Sequence, residues 1–93
     1  MSDYFPLDCG DKLGRIGLLV KQRRLELKMR QCDLASSVGV SNPTIGRIEA
    51  GERRVELGTF MHVLWQLGLL DEVIAKLDAA SAEEPPQQRV RLK

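Results

Sequence analysis

The stretch that most limits what this chain can become runs from Gln31 to Gly51, QCDLASSVGVSNPTIGRIEAG. Leu34, Ala35 and Val38 recur at helical spacing, Val40 follows a break, and Ile45 and Ile48 form a second apolar stripe three residues apart. Two short helices meeting at a sharp turn are therefore predicted, with Gly39 supplying the positive φ that such a turn demands. Ala35 suits the close approach of the pair. Ser41 is placed to cap the second helix, Pro43 is tolerated in its first turn, and Gly51 is a natural stop. Basic residues flank this unit, from Lys21 to Arg30 before it and at Arg53 and Arg54 after it, so a DNA-reading module is the first expectation.

Around it the periodicity predicts helices and no sheet. Leu13, Ile16, Val20 and Leu27 mark the buried side of a first helix that Asp11 is expected to cap. Leu57, Phe60, Val63, Leu64 and Leu67 mark a fourth helix ended by Gly68. Leu70, Val73, Ile74 and Leu77 mark a fifth with acidic residues at its start. The expected division is an N-terminal arm over residues 1–10, a DNA-binding and dimerisation domain over 11–80, and a flexible basic tail over 81–93. SAEEPPQQ reads as a polar linker. RVRLK is open to three readings: a pairing strand, an electrostatic arm, or no fixed order. Tyr4 and Phe5 either cover a dimer edge or stay loose.

Ninety-three residues bury one modest core, and domains of this size gain from dimerising. The net charge of +1 conceals segregation. Ten basic residues face four acidic ones between Lys12 and Arg54, whereas from Val55 to Gln88 only Lys76 opposes six carboxylates. One pole should attract phosphates and the other repel them. No apolar run is long enough to span a membrane and no signal sequence is evident, so a cytoplasmic protein is expected. Cys9 and Cys32 read as free thiols, and with His62 they are too few for a metal site. The lone His has no carboxylate or nucleophile constellation, and no glycine loop cradles phosphate. An enzyme and a cofactor are not expected.

The motif closely resembles the helix-turn-helix of the Xre, Cro and phage-repressor family, with Gln31, Ala35, Gly39, Ile48 and Glu49 at the family's recurring positions. The likeness extends upstream through VKQRRLELKM and downstream to about Leu77. It implies a compact all-α bundle of about five helices with a central helix-turn-helix, a lambda-repressor-like DNA-binding domain. It also implies an internal ion pair between Arg24 and Glu49 that sets geometry rather than touching DNA. Three positions depart from the pattern. Arg30 stands where Ser or Thr usually caps helix two, Lys28 replaces a helix-ending glycine, and Gly46 takes a mid-helix place where Ser is common.

The second motif helix of such a unit points its N-terminus at base edges in the major groove. Ser41, Asn42 and Pro43 lie at that tip. Asn42 is the best base reader, since its amide can bond adenine N6 and N7 together. Thr44 or Ser41 can serve phosphates or thymine methyls, and Arg47, one turn on, a guanine edge or a phosphate. Gln31 resembles the family residue that grips the backbone, and Arg30, Arg53 and Arg54 are further phosphate candidates. The expected partner is a double-stranded operator with an inverted repeat, bound by a homodimer paired through helix five and the Leu69 and Leu70 region.

Helix four has a second apolar side. Met61 and Trp65, one turn apart, fall outside its core stripe, and Leu69 extends the region, which suggests a partner surface. A Tyr-Phe-Pro N-terminus, a basic first helix, LGTFMHVLWQLGLLDEV and the basic-apolar tail together resemble antitoxin-regulators paired with Hip-type kinase toxins. That resemblance implies an autoregulating repressor that also holds a kinase-like toxin. The alternatives are a stand-alone regulator of phage or restriction-modification type, or a protein-interaction module without DNA binding.

Overall fold

The computed structural model describes residues 5–75, all of whose regular elements are helices. In order these are α1 (Leu7–Glu26), α2 (Gln31–Val38), α3 (Asn42–Glu49), α4 (Leu57–Gln66) and the single turn α5 (Leu70–Val73). Leu77, the SAEEPPQQ linker, the tail from Arg89 to Lys93 and Tyr4 lie outside the described residues. Val20, Leu34, Ala35, Ile45, Ile48, Val63, Leu64, Leu67 and Leu69 form one buried cluster to which α1, α2, α3 and α4 all contribute. Each fully buried aliphatic side chain contributes roughly 1.5–3 kcal/mol relative to exposure, and no aromatic is needed at the centre.

Breaks between helices come from left-handed residues. Gly39 (φ 86°) closes α2, Gly51 (φ 76°) follows α3, and Gly68 (φ 72°) follows α4. After α1 the same conformation falls to Lys28, at φ 59°, the one non-glycine with positive φ among the described residues. A side chain there costs roughly 1 kcal/mol that a glycine avoids.

Contact between α1 and α3 depends on a glycine the periodicity did not single out. A methyl group at Gly17 would come within 2.5 Å of the Glu49 carbonyl oxygen and 2.6 Å of that of Ile48, so the two backbones touch there. Gly51 rests equally closely on Gly14, 2.8 Å from its Cα to an added methyl. Ala35 is buried, but these glycines set the tightest approach.

Several expectations are corrected. Helix α1 starts at Leu7 after Pro6, so residues 7–10 belong to the helix and not to an arm, and Asp11 pairs with Arg15 at 3.5 Å instead of capping. Pro6 lacks the N–H a helix start leaves idle, which suits it there. Leu27 and Leu57 are exposed, not core; Leu27 is the residue that closes α1 and Leu57 the first residue of α4. Leu69 is fully buried and cannot extend an outer surface of α4 or serve as a free dimer surface. The chain turns at Gly68, and Leu69 donates its N–H to the Leu64 carbonyl at 2.8 Å, which swings its side chain inward.

Candidate nucleic-acid interface

The α2–turn–α3 unit buries Leu34 and Ala35 from one helix and Ile45 and Ile48 from the other, and that burial decides which residues face outward. Ser41, Asn42, Pro43 and Arg47 are exposed, and Thr44 and Gly46 are half-buried. Pro43 occupies the first turn of α3, where its missing N–H is not required. Ser41 stands at the N-cap position with extended backbone, yet its hydroxyl does not bond a backbone amide. It pairs with the Thr44 hydroxyl at 2.9 Å, so the expected cap is replaced by a hydroxyl pair at the tip of the helix.

At the start of α2 no side chain accepts from the helix amides as a Ser or Thr would, and a carboxylate instead takes the N–H of the N-cap residue. The Arg30 N–H donates to Asp33 Oδ2 at 2.8 Å, and the Arg30 guanidinium holds both Asp33 oxygens at 3.1 Å. These bonds keep the Asp33 carboxyl below its ordinary range, the side-chain bond from Arg30 being the main cause, and they raise the Arg30 guanidinium in turn. Arg30 is therefore exposed but already engaged by one carboxylate. An acid three residues after the cap was the signal in the sequence.

Below the surface a second network ties the unit together. Arg24 Nε donates to Glu49 Oε2 at 2.6 Å and Arg24 Nη2 to Glu49 Oε1 at 3.2 Å, with side chains only 8% and 5% exposed. Arg24 Nη1 also donates to the Met29 carbonyl at 2.8 Å. Gln31 joins the pair, its amide donating to Glu49 Oε1 at 3.0 Å. The Gln31 carbonyl oxygen lies beside Gly46, 4.0 Å from where a methyl would stand. One carboxylate thus fixes the end of α1, the first residue of α2 and the last of α3. Nothing in the sequence announces the Gln31 bond, because its partner is eighteen residues away.

Beyond α3, the Arg53 guanidinium sits 5.0 Å from the centre of the Phe5 ring, so the segment before α1 is fastened to the loop after α3. Arg54 is exposed nearby in the chain. On α4, Trp65 is 63% exposed and tilts against His62 with ring centroids 6.0 Å apart, while Met61 is half-buried. Helix α4 carries no charged residue anywhere along LGTFMHVLWQ. Arg23 braces the far end of α4 by donating to the Leu67 carbonyl at 2.8 Å and pairing with Glu72 at 3.3 Å.

No helix among the described residues is long and apolar enough to cross a membrane. Cys9 and Cys32 are both free. The helix-turn-helix family model matches residues 20–61, from the last turns of α1 to the middle of α4. That match supports a DNA-binding transcription regulator. No curated protein matches the chain.

Proposed function

We propose that this chain is a sequence-specific transcriptional repressor that lays α3 in the major groove as one half of a homodimer on an inverted repeat. The observation that carries the reading is the division of α3. Ile45 and Ile48 are anchored in the core while Asn42, Pro43 and Arg47 face solvent on a helix whose end is clamped through Glu49. Asn42 reads adenine, Arg47 a guanine edge or a phosphate, and Ser41 and Thr44 the neighbouring phosphates or thymine methyls. Gln31, Arg30, Arg53 and Arg54 contact the backbone. Titration of the protein onto its own upstream DNA against a scrambled duplex, at several salt concentrations, tests this. Tight binding to the upstream fragment with a steep salt slope is expected. Equal, weak binding to both duplexes refutes it.

The finer reading is that the repressor is also the antitoxin of a Hip-type kinase, held through the Met61 and Trp65 side of α4. Its support is an exposed tryptophan on a helix without charge, the composition of an interface centre. Trp65→Ala is expected to abolish binding to a kinase-like chain encoded next door and to leave operator binding intact. Retention of that partner by the variant overturns the Met61 and Trp65 assignment, and the absence of a kinase-like chain from the neighbouring gene removes the antitoxin role.

A further inference from the structure

Helix α1 exposes a leucine row that neither DNA binding nor the Trp65 face uses. Leu7, Leu18 and Leu25 are 89%, 57% and 54% exposed. With Asp11, Gly14 and Lys21 they make a series spaced 4, 3, 4, 3, 4 along the helix. That is the a/d spacing of a coiled-coil seam. At roughly 100° per residue the seam points about a right angle away from the side occupied by Gly17, Val20 and Arg24, so a second helix can lie along it without displacing the core.

The seam is complementary to itself when reversed. Two copies set antiparallel about a two-fold axis at the level of Ile16 bring Leu7 opposite Leu25, Asp11 opposite Lys21, and Gly14 opposite Leu18. Every layer then pairs apolar with apolar, acid with base, or a gap with a large side chain. Gly14 is a real gap on that side, since a methyl built there meets nothing within 4 Å. Asp11 pairs with Arg15 of its own chain at 3.5 Å and both side chains stay exposed, so the carboxylate is accessible to Lys21 of a second copy. A parallel pairing would set Asp11 against Asp11 and Lys21 against Lys21, and a foreign helix would have no reason to match all three layers.

We infer that α1 is a self-association surface, taken by α1 of a second copy in this antiparallel register. The inference concerns the pairing of chains alone and does not rest on the DNA reading. None of the six seam residues is assigned to DNA.

Sedimentation of the whole protein without DNA tests it. A dimer whose population grows across the micromolar range is expected. Lys21→Asp sets like charges together twice per dimer and is expected to weaken association about tenfold. Asp11→Lys combined with Lys21→Asp exchanges the charges and is expected to restore it. Leu18→Glu is expected to abolish the dimer, with helical content by circular dichroism unchanged. If Leu18→Glu unfolds the chain, the charge exchange between exposed residues still decides. A monomer at every concentration, a dimer indifferent to Lys21→Asp, no restoration by the double exchange, or a dimer dissolved by Trp65→Ser but not by Lys21→Asp overturns the inference.

Discussion

Gln31 and Glu49, the first residue of α2 and the last of α3, are joined by a 3.0 Å hydrogen bond from amide to carboxylate. Because the same carboxylate is gripped by buried Arg24, the outward position of Gln31 is set from inside the core. Removing one partner of a buried pair strands the other, so Arg24→Ala and Glu49→Ala are each expected to cost about 3–5 kcal/mol. Gln31→Ala should cost only about 0.5–1.5 kcal/mol. Urea unfolding of the three variants measures this, and a loss under 1 kcal/mol for Arg24→Ala would show that the pair is not holding the helices together.

Two glycines should respond in opposite directions to the same change. Gly17→Ala drives a methyl into the Ile48 and Glu49 carbonyls and is expected to destabilise the fold by at least about 1–3 kcal/mol. Gly46→Ala meets only the Gln31 oxygen at 4.0 Å, so it should stabilise α3 by about 0.5–1 kcal/mol. If Gly46 is kept for close approach to DNA, the more stable variant binds its operator more weakly. Thermal melts and operator titrations on the same samples separate the two effects.

Asn42 and the arginines after α3 are expected to differ in kind. Asn42→Ala should weaken operator binding by about 1–3 kcal/mol and leave nonspecific binding nearly unchanged. Arg53→Ala and Arg54→Ala should weaken binding to all duplexes and reduce the salt slope by about one each. Equal losses on both kinds of DNA would reassign Asn42 to the backbone.

Asp33 makes the start of α2 sensitive to acid. Its carboxyl is held below the ordinary value by Arg30, so the folded state binds the proton less readily than the unfolded state. The contribution is complete above the unfolded value of about 3.9 and is lost as pH falls below it through the lower folded value. Asp33→Asn is expected to lower the melting temperature at pH 7 and to shrink the difference from the parent as pH drops under about 3.9. A difference constant down to pH 2 would mean the carboxylate does not cap the helix.

Much of this architecture follows from residues close together in the chain. The left-handed turn at Gly39, the stop at Gly51 and the stripes of Leu34 with Ala35 and Ile45 with Ile48 depend on local backbone sterics and helical period. Asp33, three residues after Arg30, belongs to the same class, since its bond to the Arg30 N–H spans a single helical turn.

What periodicity could not decide was which of several leucines are covered, since Leu57 and Leu69 are equally apolar yet one is exposed and the other fully buried. Burial depends on what packs against a position, and that is settled by the turn at Gly68 and the reach of neighbouring helices. The backbone contact at Gly17 and the bond from Gln31 to Glu49 likewise join distant parts of the chain. Composition and helical period are properties of short windows of sequence, so they determined the helices and their turns. Close approach and shared hydrogen bonds between residues far apart exist only once the helices have docked, and those the tertiary structure alone decided.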